Sequence, residues 1–343
     1  MTILQTVRFI GGIKIIMYTI LFPSDYFNRN IIDAELEQEY IAAKKAGFDV
    51  MLFDYSSWFE SKKLVLNQNV DCDLVLYRGW MMKLEWYCEF EKQLKNLGYY
   101  LIVDSSSYKR LHEFANVYPI IRNDTAPILK FPLYTRIDVE FIKSTFGRFM
   151  VKDYVKSVKG SDFPVYFDSS ITQSEFDNWM KKFYQYRGNL LTGGICIKKY
   201  LNLKKFDGHT NEYRVFYYFN EPMILMKNSN QSDACCKPPV ALINKYKMLD
   251  SPFFTLDFAQ LEGDSWIIIE SGDGQVSRIT DSSQIELFYK LLKEKKLTPG
   301  AKASRFTSYW HSQPSFIHHK LVSACMILHI FKKIHNRKEM IQC

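Results

Sequence analysis

One stretch of this chain restricts its fold more than any other: residues 253–275, FFTLDFAQLEGDSWIIIESGDGQ. Two apolar arms flank Gly263-Asp264, and a two-residue turn with glycine first is the type II′ form that closes antiparallel hairpins. That turn sets Glu262 against Ser265. Counting back along both arms brings Asp257 directly opposite Glu270 on one face, with Cβ atoms about 5 Å apart. Carboxylates that close repel unless a cation or a proton lies between them. A hard, oxygen-seeking ion such as Mg2+ supplies the cation, and Asp273, in the Gly272–Gly274 turn, is a candidate third ligand. Leu256, Phe258, Ile267 and Ile269 mark the hairpin as buried. A register one residue away would instead turn both acids to solvent.

Upstream, the pattern has two parts. The first third alternates strand and helix signals: an apolar run Ile15–Phe22, a helix Ala34–Ala46 capped by Asp33 and closed by Gly47, strands Phe48–Asp54 and Leu74–Tyr77, a helix Lys83–Leu97 closed by Gly98, and a strand Tyr99–Asp104. Units of this size predict a mostly parallel sheet covered by helices. Neither GxGxxG nor GxxxxGK[ST] accompanies them, so no dinucleotide fingerprint or P-loop is present. After about Asp124 the signals become antiparallel. Arg148–Asp153 and Gly193–Leu203 read as strands, Ser174 as the cap of a helix ending before Gly188, and Glu212–Phe219 with Met223–Lys227 as a hairpin around Asn220-Glu221-Pro222. The Phe253 hairpin follows, then a helix capped by Ser282. Lys152 lies in FMVKDYVK, Lys198 in ICIKKY and Arg214 in EYRVFYYF. Cations inside apolar strands need anionic partners, and three of them before an acid pair suggest a clamped nucleoside triphosphate. Arg78, at a strand end, is either a bidentate holder of a substrate carboxylate or a structural ion pair.

Composition narrows the remaining classes. With 47% hydrophobic and 24% charged residues, the chain is neither disordered nor a coiled coil. The net charge is +8, of which residues 301–343 carry +6, leaving a nearly neutral body. That weakens the case for a broad nucleic-acid face and isolates a basic tail as a candidate RNA anchor. Seven cysteines, an odd number with no CxxC, predict reduced thiols and a cytoplasmic protein. No apolar run reaches the ~18 residues of a membrane span.

Four phrases resemble a known family: YRGW (Tyr77–Trp80), VKDYVKS (Val151–Ser157), EYRVF (Glu212–Phe216) and ESGDGQVS (Glu270–Ser277). Together with the order of lysine strand, second lysine strand, arginine strand and terminal acid hairpin, they are similar to the ATP-grasp superfamily. The resemblance is to the clade named for a conserved arginine and two lysines, and it runs from Tyr18 to Arg278. After DGQVS, Arg278-Ile279-Thr280 replaces the Gly-Leu-Pro usual in that clade. The resemblance implies an α/β plus α+β protein of ATP-grasp fold. Its parts would be an N-terminal extension (1–16), a Rossmann-like pre-ATP-grasp domain (17–125), a small lobe (126–190), a C-terminal lobe (191–300) and the basic tail (301–343). It implies that Lys152 and Arg214 are catalytic, that Lys152, Lys156, Lys198, Glu212 and Arg214 bind ATP, and that Asp257, Glu270 and Asp273 hold Mg2+ or Mn2+. Arg78 would meet the substrate. The expected activity is ligation of a small-molecule or peptide carboxylate to an amine through an acyl phosphate. An RNA-binding or RNA-modifying protein and a phosphotransferase are the alternatives.

Overall fold

The computed structural model describes residues 7–10, 13–16, 18–158, 160–228, 231–232 and 235–294. The basic tail and half of the expected N-terminal extension therefore lie outside the described residues. Strands β1 (Val7–Ile10) and β2 (Ile13–Ile16) pair as an antiparallel hairpin. They belong to a different compact unit from Met17–Lys295. The run Ile15–Phe22, expected as one strand, is divided between β2 and β3 (Thr19–Pro23), because the two have different partners.

In the larger unit, β3, β4 (Val50–Phe53), β5 (Leu74–Tyr77) and β6 (Tyr100–Leu101) form a parallel sheet of order β4-β3-β5-β6. β3, β4 and β5 are buried along their whole length, as parallel strands covered on both faces must be. The order places β3 between its two successors, so the winding direction reverses between β3 and β5. In open sheets that reversal opens a crevice beyond the carboxyl ends of the strands. Helices α1 (Glu37–Lys45), α2 (Tyr55–Ser61) and α3 (Leu84–Asn96) make the connections. Asp33 caps the turn leading into α1, accepting from the Glu35 amide, and Gly47 takes φ +79° just beyond that helix.

Two helices follow that the sequence pattern did not mark: α4 (Ser105–His112) and α5 (Phe114–Ile121). Asp104 caps α4, accepting from the Ser107 amide at 2.7 Å. Pro119 inside α5 masks its helical signal. Next comes an antiparallel sheet of order β7-β9-β8, from β7 (Ile128–Phe131), β8 (Phe149–Asp153) and β9 (Ile195–Lys199). Helices α6 (Val139–Phe146) and α7 (Gln173–Arg187) bury Ile142, Phe176 and Phe183 against it. The cap of α7 is Thr172 rather than Ser174, because Thr172 and Glu175 complete a capping box.

After the short pair β10 (Lys205–Phe206) and β11 (His209–Thr210), the last sheet has order β13-β12-β14-β15. Its strands are β12 (Glu212–Tyr218), β13 (Glu221–Lys227), β14 (Phe253–Gln260) and β15 (Trp266–Asp273), all antiparallel. Phe219 and Asn220, both at positive φ, turn the first hairpin, so Pro222 sits inside edge strand β13 instead of in the loop. Helices α8 (Val240–Lys245) and α9 (Ile285–Glu294) complete the unit. α4 and α5 pack on β15, and Phe114, Val117 and Ile121 join Val215, Phe254, Leu256, Phe258 and Ile268 in one core. Among the described residues, no helix is long and apolar enough to cross a membrane.

Candidate active site

The hairpin pairs Asp257 with Glu270, by a route different from the expected one. The loop has three residues, Glu262-Gly263-Asp264: the Leu261 amide donates to Ser265 O at 2.8 Å, and Asp264 takes φ +67°. Pairing near the tip is therefore one residue out from the two-residue turn. A bulge between Asp257 and Phe258 restores it, with Ile269 as the extra residue of β15. Ile268 is consequently the buried isoleucine of this arm, and Ile267 and Ile269 are only half-buried.

On the other side of β14, Arg214 pairs with Asp257. Arg214, Asp257 and Glu270 thus form one rung across three strands. The guanidinium holds Asp257 bidentately, Nε to Oδ1 at 2.8 Å and Nη2 to Oδ2 at 2.7 Å, and Nη1 donates to Arg278 O at 2.9 Å. Burial works against the Arg214 charge, but Asp257 outweighs it and the pKa rises. Glu212, two residues earlier on the same face, accepts from Thr210 Oγ1 at 2.6 Å and Asn228 Nδ2 at 3.3 Å.

The middle sheet adds the lysines. Lys152 pairs with Cys196 and Lys198 with Met150, so both side chains project from one face. Lys152 Nζ is 3.4 Å and Lys156 Nζ 4.0 Å from Glu270 Oε1. Lys198 Nζ donates to the carbonyl of the bulged Ile269 at 2.6 Å. Both Lys152 and Lys198 ammoniums stand over the Phe114 ring, at 5.5 and 4.3 Å. Burial, then the charge of Lys152, lowers the Lys198 pKa to about 7.

Two neighbours escaped the sequence reading. Asp153, fully buried, accepts from the Val155 and Lys156 amides at 2.7 Å each and from Arg187 Nε at 2.9 Å, fixing the turn that carries Lys156. Its signal is an aspartate at the end of a strand, where its side chain can accept from backbone amides just downstream and close a turn. His112, at the end of α4, stacks on Tyr108 with ring centroids 4.7 Å apart. Burial, then the Lys156 charge, lowers its pKa to about 3, so it is neutral beside the lysines. It was missed because α4 itself was.

Two expected site residues are placed elsewhere. Asp273 lies an odd number of residues from Glu270 along a regular stretch of β15, so it projects from the opposite face. It is fully buried, its Oδ1 accepts from the Gln275 amide and Nε2, and its Oδ2 has no partner among the described residues. Burial raises its pKa to about 7. The position that does share the face of Glu270 is Gly272, where a Cβ would lie 2.8 Å from Thr255 Oγ1. Among the described residues no three His, Cys, Asp or Glu side chains group as a metal site. Arg78 is likewise structural. Its Nε and Nη2 hold Glu39 at 2.7–2.9 Å, and its Nη1 holds the carbonyls of Gly274 and Ser277. All five donors are committed within the protein, and none remains for a substrate.

A parallel α/β sheet followed by two antiparallel sheets, with lysines on one and the arginine–acid rung on the other, is the ATP-grasp fold. Residues 142–292 match the model of an ATP-grasp domain, family 3 of the clade named for one arginine and two lysines. That match takes in every residue of the rung and its lysines. Among solved structures, the D-alanine-D-alanine ligase from Coxiella burnetii superposes with a TM-score of 0.57 at 10% identity, covering 91% of this chain and 99% of that one. D-cycloserine synthetase DcsG gives 0.53 at 11% identity, covering 81% and 99%. The D-alanine–D-alanine ligase from Bacillus anthracis, complexed with ATP, gives 0.50 at 12% identity, covering 80% and 94%. At these identities the likeness is one of fold. No curated protein sequence matches.

Proposed function

We propose that the protein is an ATP- and Mg2+-dependent ligase that joins a carboxylate to an amine through an acyl phosphate. What carries the reading is the rung Arg214–Asp257–Glu270 facing Lys152 and Lys156. Directly opposed carboxylates destabilise a sheet unless counter-charges bind them, and here Arg214, Lys152 and Lys156 supply these. Their fit to Mg2+ is good: two hard oxygen donors, both partly accessible, suit an ion that usually takes one or two carboxylates plus phosphate oxygens. Asp257 and Glu270 would hold the metal, which when bound neutralises charge on the phosphates.

The remaining roles belong to the chain's own cations. Arg214 has two N–H groups uncommitted among the described residues. With Lys152 and Lys156 it would bear the charge that develops as a substrate carboxylate oxygen attacks the γ-phosphorus and the bond to ADP breaks. Lys198, anchored on Ile269, would keep its ammonium beside the phosphates and set the spacing of the two sheets. Glu212 would face the nucleotide from the Arg214 side. An amine then attacks the acyl carbon, phosphate departs and the amine loses its proton.

Hydroxylamine trapping tests this. With ATP, Mg2+ and a panel of carboxylic acids, the protein should release ADP and form a hydroxamate. No hydroxamate above the Asp257→Ala background would remove the acyl-phosphate route. A phosphorylated product without hydroxamate would favour a phosphotransferase instead.

A further inference from the structure

Where α4 hands over to α5, a short bend, Leu111–Phe114, is tied to both antiparallel sheets. Ser271 Oγ, next to Glu270 on β15, donates to the Leu111 carbonyl at 3.0 Å. The Phe114 amide donates to the Tyr154 carbonyl, just beyond β8, at 2.8 Å. The Phe114 ring lies under the Lys152 and Lys198 ammoniums. His112 stands between these two ties. The charges that act on it are those of Lys156, Glu270 and Lys152, so its ring faces the place where the lysines meet the rung.

The ring is held still but left unpaired. It stacks on Tyr108, which stacks in turn on Tyr87 with centroids 4.0 Å apart. The Tyr108 hydroxyl is fixed by the Met82 amide and carbonyl at 2.9 and 2.8 Å. His112 is 8% exposed, and buried polar groups are paired as a rule. Among the described residues, however, neither of its nitrogens has a hydrogen-bond partner, and the side-chain atoms sealed from solvent without one are Thr19 Oγ1 and Asp273 Oδ2. The His112 nitrogens are therefore unpaired yet open to a ligand. Burial and the lysines keep the ring neutral, and a neutral imidazole offers one N–H donor without adding charge. The lysines supply charge at this place, and a rigid ring supplies direction.

We propose that His112 donates its ring N–H to an oxygen of the γ-phosphoryl group, orienting it while the carboxylate oxygen attacks phosphorus and the bond to ADP breaks. The assignment rests on the ligase reading, which places that group at Lys152, Lys156 and Glu270. No proton changes hands. The hydrogen bond bears part of the charge spread over the phosphoryl oxygens, and the electron pair of the broken bond leaves with ADP.

The test is calorimetric titration of the full chain, with Mg2+, by β,γ-imido-ATP and separately by ADP. His112→Phe keeps a ring to stack on Tyr108 and removes the donor. It should weaken β,γ-imido-ATP binding roughly tenfold or more and leave the ADP Kd unchanged. His112→Asn and His112→Gln each restore an N–H near one ring nitrogen, and one of the two should recover most of the loss. An unchanged β,γ-imido-ATP Kd in His112→Phe, an equal loss for ADP, or no recovery by either amide would each overturn the proposal. Hydroxamate formation is read separately. The γ-specific loss without hydroxamate would remove the ligase reading and leave His112 on the phosphoryl group. Hydroxamate with no γ-specific loss would do the reverse.

Discussion

Arg78 and Arg214 both end in a bidentate pair with a carboxylate, yet they belong to different kinds of region. Arg78 is 2% exposed at the junction of the parallel sheet with the 274–277 turn, and Glu39 and two carbonyls take all its donors. Glu39 also accepts from Tyr289 at 2.7 Å, so its carboxylate is held by two buried side chains. Arg214 is 18% exposed, and three of its five donors are used among the described residues. One pair is a rivet, and the other is a half-filled site. Residue type does not distinguish them. Donor count and access do.

The largest effect should come from opening the rivet. Arg78→Met leaves Glu39 buried without its counter-charge, and urea denaturation should show a loss of about 3–5 kcal/mol. A loss below about 1 kcal/mol would show that the junction does not hold the two sheets. At the rung the cost should fall on chemistry instead. Glu270→Gln should lower ATP-dependent ADP formation by about 100–1,000-fold, the scale of one lost electrostatic group, with the urea midpoint nearly unchanged. If stability fell as much as rate, the rung would be structural too.

Asp273 sharpens the comparison through pH. Its folded pKa is raised to about 7 from an ordinary 3.8. The fold therefore favours the protonated form, and that contribution is complete below about pH 4 and lost as pH rises through about 7. Asp273→Asn mimics the neutral form. It should match the parent at pH 4 and become the more stable protein above pH 7, read by thermal denaturation at each pH. A constant difference at both pH values would contradict this. The smallest effect is expected at an exposed pair, Lys45–Glu286, whose side chains are 65% and 67% accessible. Lys45→Met should change stability by no more than about 0.5 kcal/mol.

Much of this arrangement was legible in the sequence because strand chemistry is periodic. Alternating apolar residues exposed the odd cations Lys152, Lys198 and Arg214 and the acids opposite one another at Asp257 and Glu270. The pairing of those acids was reached through two one-residue departures that cancel, at the loop and at Ile269. A bulge has no composition signature in a run such as WIII, so it could not be read. Asp273 was misplaced because a motif gives spacing without stating which face a residue takes. Arg78 was ambiguous because its partner Glu39 is 39 residues away in sequence and comes beside it only through the sheet. α4 and α5 were hidden by a serine run and Pro119, and His112 and Phe114 with them.

The central claim is that Asp257 and Glu270 form a metal–nucleotide site with the lysines opposite. Electron paramagnetic resonance of Mn2+, titrated with protein and a non-hydrolysable ATP analogue, tests it most directly. The wild-type protein should bind Mn2+ only when the analogue is present, and Glu270→Gln should lose that binding while Asp273→Asn keeps it. Nucleotide-dependent Mn2+ binding of equal affinity in Glu270→Gln and the wild type would contradict the account.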